Sequence, residues 1–290
     1  MNSDRRDFFK GMATAAAVAV VPSVARAREK KRPQSDAVGL LYDATRCIGC
    51  KACVVACKEQ NDLPADTRGY GKGLYDAPEG LNEFTKNVIQ LYKDAGEESY
   101  VKKQCMHCVD PACVGACMLG ALQKGKYGIV SYDVDKCVGC RYCEVACPFN
   151  VPKFQWTKAA PRIVKCELCR DRLAEGKEPA CTAVCPRQAV IFGKYTDLLD
   201  EAHRRLKDNP GNYVPKVYGE HEVGGTQVLY LSHVEFEKLG FRFDQQESVP
   251  HLQQSVQHGI YKGFIGPVAL YALLGAVVFR NRGKSDDKES

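Results

Sequence analysis

All sixteen cysteines of the chain fall into four tight groups: Cys47, Cys50, Cys53 and Cys57; Cys105, Cys108, Cys113 and Cys117; Cys137, Cys140, Cys143 and Cys147; and Cys166, Cys169, Cys181 and Cys185. None is left over for a disulfide or a lone nucleophile. Thiols at C-x-x-C spacing share a metal centre more readily than a bridge, so the fold has to hold these loops around metal. The first and third groups are near copies, "DATRCIGCKACVVAC" and "DVDKCVGCRYCEVAC", while the second and fourth are related through "PACVGAC" and "PACTAVC". That alternation reads as an internal duplication.

The spacing points to the chemistry. Three thiolates at i, i+3 and i+6 on a tight loop wrap three irons of a cubane. The fourth, four residues on, starts a helix and points elsewhere; in two-cluster ferredoxins it ligates the other cluster. Gly49 and Gly139 let the backbone come close to the cluster and turn its amides toward sulfur. Pro148 and Pro186 complete the ferredoxin pattern after the third and fourth groups, whereas Lys58 and Met118 stand at the corresponding places of the first and second. Zinc sites also use C-x-x-C pairs, but they have no use for a third cysteine at i+6 and a fourth at i+10. No C-x-x-C here is followed by His, which excludes a c-type haem. At four thiolates per cubane, sixteen cysteines make four 4Fe-4S clusters.

Both ends of the chain carry addresses. Arg5 and Arg6, the apolar run that follows Lys10, and an A-x-A site at Ala25 to Ala27 make 1–27 similar to a twin-arginine signal peptide. That route exports folded proteins, which suits a chain loaded with its cofactor in the cytoplasm. At the other end, 260–279 is apolar except for Lys262 and near the length of a bilayer-spanning helix. Arg280, Arg282 and Lys284 follow it, so the positive-inside rule puts the tail 280–290 in the cytoplasm and the rest on the outer, periplasmic face of the inner membrane. The net charge of +6 falls to +4 without the signal and is dispersed, which gives no case for nucleic acid. There is no G-x-S-x-G or H-E-x-x-H, and "GYGKG" at 69–73 follows no strand and reads as a loop, so no catalytic residues are assigned.

With these features together the chain resembles the four-cluster ferredoxin-type iron–sulfur subunits of bacterial respiratory oxidoreductases. More particularly it is similar to the membrane-anchored electron-transfer subunits of hydrogenase-2-type nickel–iron hydrogenases. The stretches that carry the likeness are "LYDATRCIGCKAC", "KKQCMHCVDPACV", "GCRYCEVACPFNVPKF", "KCELC", "GGTQVLYL" at 224–231 and "HGIYKGF" before the tail helix. The resemblance implies that the first group pairs with the fourth and the second with the third. Cys47, Cys50, Cys53 and Cys185 would hold one cluster, and Cys166, Cys169, Cys181 and Cys57 its neighbour. Cys105, Cys108, Cys113 and Cys147 would hold a third, and Cys137, Cys140, Cys143 and Cys117 a fourth. It further implies an electron relay between the small and large subunits of a periplasmic hydrogenase and an integral membrane quinone-reactive subunit. The same role beside a molybdenum enzyme is the alternative, and a zinc-structured scaffold the more distant one.

The fold class expected from that pairing is α+β: two pseudo-symmetric ferredoxin-like lobes within 38–195, an extension at 196–258 packing on them, and one C-terminal transmembrane helix. Strands are expected at 87–92, 128–132 and 189–193, with an insertion over about 58–100. An amphipathic helix capped by Thr196 is expected over 196–209. His107 reads as a solvent-facing loop residue, and Phe149, Phe154 and Trp156 as cover over a cluster. The basic residues Arg46, Lys51, Lys136, Arg141, Lys165 and Arg170 are expected either to tune cluster potentials or to form a solvated or docking face.

Overall fold

A computed structural model of the chain describes residues 30–65, 78–94, 96–241 and 245–282. The expected signal at 1–27, the glycine cluster at 69–73 and residues 283–290 of the tail lie outside the described residues. The chain divides into two compact units, Lys30–Pro250 and a second composed of Met1–Glu29 with His251–Ser290.

The larger unit is built around β1 (Val38–Asp43), whose residues from Gly39 onward are all buried. β1 pairs antiparallel with β8 (Val190–Lys194), Leu40 opposite Phe192, and parallel with β9 (Val228–Leu231), Leu40 opposite Val228. Side chains alternate across a strand, so Leu40, Tyr42, Val228 and Tyr230 enter one core, where Tyr218, Phe236 and Phe241 meet them. Leu41, Leu229 and Leu231 enter a second core closed by Leu198 and Ala202 of α6 (Tyr195–Asp208). Both faces of the sheet are therefore apolar and covered, each fully buried large side chain contributing about 1.5–3 kcal/mol.

The remaining strands form hairpins: β2 (Val88–Asp94) with β3 (Glu97–Lys103), β4 (Leu122–Lys124) with β5 (Val130–Tyr132), and β6 (Lys153–Phe154) with β7 (Ile163–Val164). The Tyr42 hydroxyl donates to the Tyr100 carbonyl at 2.7 Å and ties the first hairpin to β1. Four short helices carry or adjoin the cysteines: α1 (Ala52–Gln60), α2 (Ala112–Gly115), α3 (Tyr142–Ala146) and α5 (Ala180–Ala183). A fifth, α4 (Arg170–Ala174), follows Cys169. α1 packs on α5, and α2 on α3. The first group is thus brought to the fourth and the second to the third.

Strands occur at the three expected places, as β2, β5 and β8, while β1, β3, β4, β6, β7 and β9 are additions. α6 matches the expected helix, but its capping differs. Lys194 is the N-cap and Thr196 lies inside the first turn, its hydroxyl on Asp197 at 3.1 Å. The reason is that β8 runs directly into α6, and the Tyr195 amide is satisfied by the Ala37 carbonyl at 2.9 Å, so no side-chain cap is needed.

The last helix, α7 (Val249–Arg282), has Pro267 inside it, and its residues 251–282 are the described part of the second unit. The transmembrane helix expected over 260–279 falls within α7, but among the described residues no helix is long and apolar enough to cross a membrane. The side chains of 254–265 and 279–282 lie outside the described residues. Those of 266–278 include exposed Val268, Leu270, Leu273, Leu274, Val277 and Val278.

Candidate metal centre

The cysteine loops share one backbone device. In each C-x-x-C that opens a group, the residue before the second cysteine is left-handed: Gly49 at φ 68°, His107 at 48°, Gly139 at 71° and Leu168 at 54°. The turn points the amide of that residue back at the first sulfur, and the Gly139 and Leu168 amides donate to Cys137 Sγ and Cys166 Sγ, each at 3.4 Å. Sequence reasoning finds this conformation only where glycine marks it. At His107 and Leu168 it costs about 1–2 kcal/mol, offset by burial of both side chains, which are 0% and 1% exposed. His107 is therefore not a solvent-facing loop residue. Its Nδ1 accepts from the Val130 amide at 3.1 Å, and its Nε2 has no partner among the described residues. Burial, with the charges of Lys165 and Lys124 nearby, holds its pKa well below the usual imidazole value.

Quartets form across the paired helices. Cys47, Cys50, Cys53 and Cys185 line one cavity. Cys57, Cys166, Cys169 and Cys181 line a second, and Cys117, Cys137, Cys140 and Cys143 a third. Cys105, Cys113 and Cys147 all act electrostatically on Cys108. Yet among the described residues no three His, Cys, Asp or Glu side chains gather closely enough to hold a single metal ion. Mononuclear zinc would need sulfurs about 2.3 Å from one point. Each lined cavity instead has its four thiols around a volume, as a polynuclear iron–sulfur group requires.

Electrostatics points the same way. Burial, reinforced by neighbouring thiolates, pushes Cys108 and Cys166 well above the usual thiol range, Cys113 and Cys181 to about 12, and Cys143 and Cys147 to about 11. Thiols so placed ionise only against a strong local positive charge, which bound metal supplies. The His107 Nε2 beside the second group is a further buried polar atom without a partner among the described residues. The residues present therefore fit iron–sulfur clusters.

The quartets are also ordered. Cys53 of the first acts on Cys181 of the second, Cys105 of the third on Cys166 of the second, and Cys143 of the fourth on Cys113 of the third. Of all sixteen cysteines only Cys50 and Cys140 are exposed, one in each terminal quartet. Exposed apolar side chains line both cavities: Ile48 that of the first quartet, and Met118, Leu119 and Val138 that of the fourth.

The basic residues divide. Arg46, Lys136 and Arg170 are surface groups paired with Asp43, Asp133 and Glu167. Arg141 lies over the rings of Trp156 and Phe154 at 4.5 and 5.4 Å. Lys165 is different: it is 2% exposed and donates to the carbonyls of Val130 and Cys166, so it belongs to no solvated face. Two lysines that sequence reasoning missed join it. Lys124 donates to the carbonyls of Cys108 and Gly128 and to Gln227 Oε1, at 2.7–2.8 Å. Lys102 is fully buried. No local pattern marks either, since an alternating strand gives a lysine no reason to point inward.

A 4Fe-4S dicluster domain family matches residues 97–195, and a 4Fe-4S binding domain family matches 39–59. Hydrogenase-2 operon protein HybA of Escherichia coli is 40% identical over 329 aligned positions, covering 99% of this chain and 100% of its own length. The chain belongs to this family of ferredoxin-type iron–sulfur subunits. The family extends to the iron–sulfur subunit of the nitrate-inducible formate dehydrogenase of Escherichia coli, 36% identical over 87% of each chain, and to that of formate dehydrogenase-O, 35% identical over 89% of each. As a member of this family the chain is an electron-transfer subunit that binds 4Fe-4S clusters, and its mixed helices and short strands fit ferredoxin-like lobes.

Proposed function

We propose that the chain relays electrons through four 4Fe-4S clusters between a periplasmic nickel–iron hydrogenase and a quinone-reactive subunit in the membrane. The observation that carries this reading is the arrangement of the cysteines: quartets whose thiols act electrostatically on those of the next, first to second, second to third and third to fourth, with an exposed thiol only in the first and the last. Cys47, Cys50, Cys53 and Cys185 hold the first cluster and Cys166, Cys169, Cys181 and Cys57 the second. Cys105, Cys108, Cys113 and Cys147 hold the third, and Cys137, Cys140, Cys143 and Cys117 the fourth. Each group, when bound, supplies one-electron redox chemistry. The chain's own work is to hold the thiolates, to aim amides at sulfur, and to exclude water from the two inner quartets, none of whose cysteines is exposed. Exposed apolar side chains lining the first and fourth cavities, Ile48 at one and Met118, Leu119 and Val138 at the other, suit protein partners there.

The twin-arginine pattern at 1–27 supports export of the loaded protein, and the apolar run at 260–279 supports anchoring by one membrane helix with its C-terminus in the cytoplasm. The hydrogenase partner is favoured by the full-length likeness to HybA. The formate dehydrogenase subunits favour a molybdenum enzyme as the second reading. The test is to extract the tagged protein from membranes in mild detergent and assay the isolated complex for dye reduction by hydrogen and by formate, alongside iron and acid-labile sulfide. Hydrogen-dependent reduction is expected. Formate-dependent reduction alone moves the partner to the second reading, and zinc without sulfide removes the relay altogether.

A further inference from the structure

Lys102 has no solvent exposure, yet no described carboxylate pairs with it. An ammonium so placed is destabilising unless an anionic partner offsets its lost hydration. Its Nζ donates to Asn87 Oδ1 at 2.8 Å, and the Asn87 amide in turn donates to the Cys53 carbonyl at 3.2 Å, so the charge is held in place from one side. Lys102 lines the cavity of Cys47, Cys50, Cys53 and Cys185, while Asn87 lines that of Cys57, Cys166, Cys169 and Cys181. The groups that act on the lysine electrostatically are Cys53 from the first quartet and Cys57, Cys166 and Cys181 from the second. One cation therefore stands between two sites that each become more negative on reduction.

We propose that Lys102, fixed by Asn87, is the shared counter-ion of these two clusters and raises both of their reduction potentials together. The proposal rests on the reading that the two quartets each hold a 4Fe-4S cluster. A fixed positive charge in a low-dielectric interior favours the more negative, reduced form of whatever lies beside it. Because it serves two sites, a change at Lys102 moves both potentials in the same direction, whereas Lys51 and Arg187 line the first cavity alone. The other two quartets are supplied differently. Lys124 and Lys165 adjoin the third, and the surface residues Lys136 and Arg141 line the cavity of the fourth. Lys102 acts as a positioning charge and not as a ligand.

The full-length protein in its isolated complex is titrated electrochemically with detection by paramagnetic resonance, with iron and acid-labile sulfide counted on each sample. In Lys102→Met, two midpoints are expected to fall and two to stay in place. Lys102→Arg keeps the charge and is expected to keep all four. Asn87→Asp sets a carboxylate against the lysine and is expected to lower the same two. Four unchanged midpoints in a fully loaded Lys102→Met protein overturn the proposal, as does a shift of all four or an equal shift in Lys102→Met and Lys102→Arg. Loss of loading in Lys102→Met and Asn87→Asp with normal loading of Lys102→Arg reports the same need for charge; loss in all three overturns it. Wild-type protein lacking four irons and four sulfides per quartet refutes the cluster reading itself, a result separate from any of these.

Discussion

Asp43 and Asp133 occupy the same place in the repeat, four residues before the first cysteine of their groups. Each accepts from the backbone amide two residues on, Thr45 at 3.1 Å and Asp135 at 3.1 Å, and so closes the turn that leads into the loop. Their surroundings have diverged. Asp133 is a surface residue bridged to Lys136, whereas Asp43 is fully buried and receives Arg205 at 2.9 Å and the Tyr213 hydroxyl at 3.0 Å. Asp43→Ala leaves Arg205 buried without that partner and is expected to cost on the order of 3 kcal/mol, read as a lower thermal midpoint. Asp133→Ala is expected to leave the midpoint nearly unchanged. The paired glycines differ in the same manner. A Cβ at Gly49 would lie 2.2 Å from the Tyr100 ring, and one at Gly139 would lie 3.3 Å from Phe154. Gly49→Ala is therefore expected to lose bound iron, and Gly139→Ala to retain more of it, as measured by iron content after purification.

β9 explains why the late "GGTQVLYL" stretch belongs with the cysteines. It pairs in parallel with β1, and the residues entering it reach the second group: the Gln227 amide donates to the Met106 carbonyl at 3.1 Å and the Val109 amide to the Gly225 carbonyl at 2.9 Å. The Gln227 side chain joins Val38, Tyr127 and Lys124, so a single residue fastens β1 to the loop that carries Cys108. Gln227→Ala leaves several buried groups unsatisfied, a loss of about 1–3 kcal/mol. Faster release of iron to a chelator is expected, in a phase that accounts for part of the total. The hairpin β2–β3 plays the corresponding part at the other end, delivering Asn87 and Lys102 between two quartets. It lies largely within the segment that reads in sequence as an insertion between cysteine groups.

Across the whole molecule, all sixteen thiols, Lys102, Lys124 and Lys165, and the cores on both faces of the β1 sheet belong to Lys30–Pro250. A chain ended after Pro250 is therefore expected to keep its full iron content and its thermal midpoint while leaving the membrane fraction. Iron lost on truncation would mean that α7 contributes to the clusters, and continued sedimentation with membranes would mean that it is not the anchor.

Metal chemistry, the duplication, strands β2, β5 and β8 and helix α6 are legible along the chain because each depends on neighbours: C-x-x-C spacing, strand alternation and helical periodicity are local properties. The burial of His107, Lys102 and Lys165 was not legible, nor was the exposure of Cys50 and Cys140. Burial is set by segments remote in sequence, as when Asn87 meets Lys102 beside Cys53 and Cys181, or Arg205 closes over Asp43. Spacing alone dictates that this chain gathers thiolates in fours. Which quartets face outward, and which share a cation, is decided by the packing of distant loops, because exposure and electrostatic environment are properties of the assembled interior.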